Sequence, residues 1–322
     1  MIRVRLDPKL KAVAHGKRQL VYSDAAPPSM DRPAHVRAGS ALARIGTRLA
    51  VLQDDANFIA LVDGDSVRSI PLPAAKDGRR QFSEELGNKQ NKLDLEACVV
   101  VDKTLVAFGS GSTRERERIV IATGLDCDQP KVQTVLAPQF YRLLRENKAF
   151  SGSELNLEGA AKIGDRLVLF QRGNGAAIDG LAPVNATCEV SYDALWEYLQ
   201  TGAGAPEPLE VKQYDLGTIG TVPWTFSDAT VAPSGSLVFL ATAEDSPNAY
   251  DDGVVIGVAV GVLDESGARM TPLRTSDGSL VRDKAEGISI RTEDPTRADL
   301  AIDRDDPDAP CELAEIELVG FP

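Results

Sequence analysis

The sequence predicts an all-β fold made of one short unit repeated around an axis, and three observations carry that prediction. A pattern recurs: AGSALARIGTRLAVLQ opens at Ala38, LDLEACVVVDKTLVAFG at Leu93, LNLEGAAKIGDRLVLFQ at Leu155, FSDATVAPSGSLVFLAT at Phe226 and KAEGISI at Lys284. Ser40, Glu96, Glu158, Asp228 and Glu286 share one column of that alignment, at steps of 56, 62, 70 and 58 residues. Each unit also joins two apolar runs through a tight turn, the signal of an antiparallel meander. Repeats of this size built from short strands close radially into a β-propeller.

The elements follow in order. The first strand of each unit is rich in Ala, Gly and Cys, which suits the crowded inner place of a blade. Turns at Ile45-Gly46-Thr47, Val101-Asp102-Lys103, Ile163-Gly164-Asp165 and Pro233-Ser234-Gly235 lead into second strands starting near Arg48, Thr104, Arg166 and Leu237. Third and fourth strands are expected near Phe58 and Val67, Arg118 and Val132, and Thr187 and Leu209. Ser191 stands as an N-cap at the head of SYDALWEYLQ, where Leu195, Tyr198 and Leu199 share a helical face. Unit four continues from Val254 and Arg269. Unit five starts its strands near Glu286, Ala298 and Cys311 and is one strand short. An N-terminal strand, in residues 2–6 or 18–22, would complete it and remove an open sheet edge. The expectation is a single domain over residues 1–322: a five-bladed β-propeller closed by an N-terminal strand in the last blade. A six-bladed disc that uses residues 1–35 is the alternative.

Composition narrows the partners. The chain has 322 residues and a net charge of −13, which opposes a sequence-independent grip on nucleic acid or an anionic membrane. No apolar run approaches the ~18 residues of a membrane span, and the N-terminal stretch lacks the apolar core of a secretory signal. Cys98, Cys127, Cys188 and Cys311 are far apart and in no metal-binding spacing, as expected of reduced thiols in the cytoplasm. A cytoplasmic monomer is the expectation.

Leu157-Glu158-Gly159 and Ala285-Glu286-Gly287, each opening an inner strand, resemble the phytase-like β-propeller group. So does the terminal run EGISI, ADLAIDRDDPD and CELAEIELVG. The resemblance covers most of the chain at the level of its repeat. It implies a propeller and, from some members, bound calcium and phosphoesterase activity. The chain departs from the pattern at Ser40 and at Asp228-Ala229.

Glu96, Glu158, Asp228 and Glu286 are the candidate metal ligands. Facing each other ~6 Å apart, each pair would repel by ~3 kcal/mol at an effective dielectric of ~20. Three arrangements relieve this. Calcium binds the all-oxygen set; some carboxyls hold protons; or each acid turns away to accept backbone N–H bonds as a structural clasp. Arg79, Arg80, Lys89 and Lys92, from the basic loop before unit two, and Arg172, after the second strand of unit three, are the candidate grip on a small anionic ligand. Residues 139–154 read as a second basic loop. Gln53 and Gln171 share a repeat column. Nucleophile-elbow, zincin and phosphate-loop motifs are absent, and no catalytic residue is assigned. The leading reading is a propeller with an acidic axial site acting as a calcium-dependent phosphoric-ester hydrolase. The alternative is a non-catalytic propeller binding a small ligand or a protein, and a metal-dependent lactonase or esterase is the third.

Overall fold

Inner strands with both faces buried explain why these segments read as continuous apolar runs rather than alternating ones. The computed structural model describes residues 1–127, 129–245 and 253–322. The inner strands are Gly39–Ile45, Leu95–Val101, Leu157–Ile163, Thr225–Val231 and Lys284–Ile290. Each is the first strand of an antiparallel meander. The inner strands also neighbour one another in a closed cycle, with the fifth against the first. The fold is a β-propeller.

The core is divided among the interfaces between units. Five apolar clusters are present among the described residues, one for each neighbouring pair of meanders. Successive residues of one strand serve opposite clusters. Ala41 and Ala43 pack toward unit two, while Leu42 packs toward unit five.

The strand that completes unit five is Lys11–Gln19, which starts after the first N-terminal segment singled out from sequence and overlaps the second only at Arg18 and Gln19. It pairs antiparallel with Glu312–Val319, placing Ala14 opposite Ile316 and Arg18 opposite Leu313. Ala12 and Ala14 are buried on this strand, and their spacing is the period of two that a half-covered strand requires. Its other edge runs parallel to residues 273–275 of unit four. Ile2–Arg3 and Arg5–Leu6 add parallel pairs to the outer strands of units three and four. The described N-terminal strands thus cover outer edges of three units and form no sheet of their own.

Among the described residues three helices, one of them the single turn Lys148–Ser151, lie outside the sheets as well as short 3-10 turns. Tyr192–Thr201 carries the expected cap, Ser191 Oγ accepting from the Ala194 amide at 3.2 Å. The expected basic loop at 139–154 is instead mostly helical, with Pro138–Glu146 as its main element. Phe140, Tyr141 and Leu144 are buried, and the Tyr141 hydroxyl donates to the Gly109 carbonyl at 3.0 Å. Arg142 between these three, with Arg145 and Glu146 just after them, hid the short apolar face. No helix of the described residues is long and apolar enough to cross a membrane.

The glycine of the Glu-Gly pair has a packing reason. A Cβ on Gly159 would stand 2.9 Å from the Ala229 nitrogen, and one on Gly287 3.0 Å from the Ala41 carbonyl carbon. Both neighbours are backbone of the next inner strand, so a side chain cannot be accommodated by a rotamer change. Gly287→Val is expected to cost about 1–3 kcal/mol through overpacking and to lower the melting midpoint. Gly16→Ala, where nothing lies within 4 Å, should leave it unchanged. Equal midpoints in thermal unfolding would remove the close-approach argument.

Candidate functional site

Every inner strand slips by one residue against its second strand. The residues left over at these bulges are Ser40, Glu96, Glu158, Ser227 and Glu286. A bulge frees one side chain from the two faces of the sheet and re-aims it. Ser40 Oγ donates to the Leu95 carbonyl, and Ser227 Oγ to the Ala285 carbonyl at 3.3 Å, so the two serines tie neighbouring inner strands together. Glu96, Glu158 and Glu286 instead line a cleft of about 540 Å³ at the mouth of the disc.

Asp228 does not belong to that column. It stands one residue past the bulge and is 2% exposed. Its carboxylate accepts from the Ala229 and Ile288 amides, each at 2.7 Å. This is the clasp arrangement, joining the fourth inner strand to the fifth. The alignment failed here because the hairpin of unit four spans residues 232–236, whereas units one to three turn in two residues. Spacing from the turn therefore does not locate the bulge.

Cationic side chains enter the cleft from other repeat columns. Lys92 contacts Asp54, Asp55 at 3.2 Å and Asp94 at 2.9 Å. Arg116 holds the second oxygen of Asp94 at 2.9 Å, and Ser110 donates to it too. Arg172 joins Glu158 at 3.4 Å to Glu244 at 2.6 Å. Lys284 reaches Asp305 at 2.7 Å and Glu286 at 3.5 Å. No described cation or donor bonds Glu96, which is 9% exposed.

The five basic residues singled out from sequence separate into two groups. Lys89, Lys92 and Arg172 line the cleft, Lys89 lying 3.7 Å from Glu84. Arg79 and Arg80 do not line it. Arg80 donates to the Leu72 carbonyl at 2.8 Å, and exposed Arg79 lies 3.7 Å from Asp31. Sequence reasoning missed Asp94, Arg116, Glu244 and Lys284. Asp94 and Lys284 each stand two residues before a bulge, Asp54 and Arg172 each follow the paired end of a second strand, and Asp303 is itself such an end, opposite Lys284. Equivalent places carry opposite charges, so a search for repeated residue types passes over them. Gln53 and Gln171 do repeat in role. Each accepts at 2.8 Å from a backbone amide ahead of its inner strand, that of Arg37 or Asn156.

The cleft holds more acid than its cations neutralise. Among the described lining residues, twelve carboxylates face six cationic groups. Burial pushes Glu96 well above the usual carboxylate range, and Asp54, Asp94, Glu158 and Glu286 add repulsion. Burial likewise raises Glu158 against the pull of Arg172, and Glu286 against that of Lys284. Asp54 is pushed up to about 8 by burial despite Lys92, with Asp55 and Asp94 adding repulsion. Burial would raise Asp94 too, but Lys92, Arg116 and Ser110 outweigh it and hold that carboxyl low.

A family of unknown function (DUF6929) matches residues 35–318, and the chain belongs to it. No curated protein matches. Among solved structures, a mannose phosphorylase from Leishmania mexicana in complex with phosphate is similar at 13% identity and a TM-score of 0.45, over 94% of this chain and 88% of that one. A streptogramin B lyase is similar at 9% identity and a TM-score of 0.42, over 95% and 98%. A hypothetical protein from Leishmania major is similar at 12% identity and a TM-score of 0.44, over 96% and 91%. The family match does not name the phytase-like group.

Two expectations follow from this geometry. Asp228→Ala strands the buried Ile288 amide and should cost about 1–3 kcal/mol, measured by denaturant unfolding, with no effect on binding in the cleft. Glu96, with its folded pKa raised, binds a proton more tightly folded than unfolded. Its contribution to stability is complete below the unfolded value of ~4.3 and is lost as pH rises toward the folded value. Glu96→Gln, a fixed mimic of the protonated acid, should therefore raise the melting midpoint at pH ~8 and barely change it at pH ~4. An equal shift at both pH values would show that Glu96 ionises freely.

Proposed function

We propose that the chain is a ligand-binding propeller whose cleft receives the positively charged group of a small molecule, with Glu96 as its anchor. One observation carries this reading: Glu96 is a buried acid that no described cation or donor bonds, in a cleft where Lys92, Arg172 and Lys284 are already bound to other carboxylates. A cation about 4 Å from such an acid gains ~4 kcal/mol at an effective dielectric of ~20. The excess of carboxylates along the walls supports the same sign of ligand.

A calcium-dependent phosphoric-ester hydrolase draws less support from this geometry. Arg79 and Arg80 lie outside the cleft lining, and a phosphate would have to take Lys92 and Arg172 away from two or more carboxylates each. The excess negative charge would also repel it.

Titration calorimetry with organic amines and guanidines on one arm, and phosphomonoesters and lactones on the other, tests the choice. Amines are expected to bind with release of protons, so that affinity rises between pH ~5 and ~8 as cleft carboxyls ionise. Glu96→Gln should weaken them by about tenfold or more. Binding or turnover of phosphate esters without any binding of amines would sink the proposal.

A further inference from the structure

Lys92 already holds two carboxylates of the acidic group in the cleft. Asp54, Asp94 and Glu96 each present a carboxylate oxygen, the three lying within 4.8 Å of one another. Oxygen-only sets of this kind suit a hard divalent cation, and calcium takes six to eight such ligands. The set in this chain does not fit calcium as it stands. The Lys92 ammonium bonds Asp54 and lies 2.9 Å from Asp94, with a side chain only 8% exposed. Arg116 and Ser110 take the remaining oxygen of Asp94. Glu96 alone is uncommitted, and as a buried acid aimed into the cleft it marks the group as still short of positive charge.

We propose that Lys92 is a tethered cation standing in the place of a divalent metal, and that it sets the cleft's preference for organic cations over calcium. The proposal rests on the reading of the cleft as a cation-receiving site and adds the residue that decides which cations enter. An ammonium on the chain is a compact charge with three N–H donors. Being tethered, it is present at a high effective concentration that a free ion must overcome. Calcium would have to expel Lys92 from three carboxylates and then find that Asp94 is also held by Arg116. An incoming amine needs only Glu96, which Lys92 does not bond.

Calcium titrations of the wild type, Lys92→Met, and Lys92→Met combined with Asp54→Asn test this, read by calorimetry and by thermal unfolding. Millimolar calcium is expected to leave the wild-type midpoint unmoved. Lys92→Met should melt lower without metal, recover with calcium, and bind it about tenfold or more tighter than the wild type. The double variant should lose that gain. Should Lys92→Met fail to fold alone, refolding with calcium is expected to recover it. A wild type that binds calcium as tightly as Lys92→Met overturns the proposal. So does a Lys92→Met protein whose folding and stability ignore calcium. Amine titrations of the wild type, run in parallel, report separately on the ligand reading, because their loss would leave the calcium comparison standing.

Discussion

The site depends on a bulge at the head of each inner strand. Five strands meeting around an axis are covered on both faces by neighbouring units, so a side chain that stays in register enters one of the interface clusters. A bulge releases one residue per unit from that choice without breaking the rest of the ladder. Where the released residue is Ser40 or Ser227, its hydroxyl returns to the next strand's carbonyl. Where it is glutamate, the longer side chain extends into the cleft and a carboxyl group is buried there. Structural closure and the polar site are two outcomes of one backbone irregularity.

A buried acid must be paired or stay protonated, and this imposes asymmetry on a repeated fold. If every unit carried the same acid in the same place, the axis would repel itself. The chain instead draws cations from different columns: Lys92 ahead of unit two, Arg172 at the end of a second strand in unit three, Lys284 at the first position of the fifth inner strand. The pairs that result cross between units, as with Arg172 and Glu244 or Lys92 and Asp54. The ion pairs of the cleft therefore also tie the disc together. Glu96 is the residue this scheme leaves out, which makes it the most chemically available group of the cleft.

Much of the scaffold is legible along the chain because it is local. Two-residue turns between apolar runs place the hairpins of units one to three, and Ser191 ahead of an amphipathic stretch places a helix. Gln53 and Gln171 repeat because each accepts from a backbone amide shortly before its inner strand. Elements whose signal is short or displaced are read less well. The closing strand lies at Lys11–Gln19, with only Ala12 and Ala14 as its buried alternation, and the helix after Pro138 hides three apolar residues among charges. Asp228 was misassigned because a longer hairpin in its unit moved the bulge by one position.

Repeat length, strand order and the presence of acids at the heads of inner strands follow from pattern alone, since they depend on residues within one unit. The partners of those acids do not. Closure brings Lys92 of one loop onto Asp54 of the neighbouring unit and Ile288 onto Asp228, across separations of 38 and 60 residues that no local periodicity encodes. An acid in a repeated column can thus be a clasp, an ion pair or an open site. Only the packed disc decides which, because burial and the nearest charge, rather than residue type, set its state.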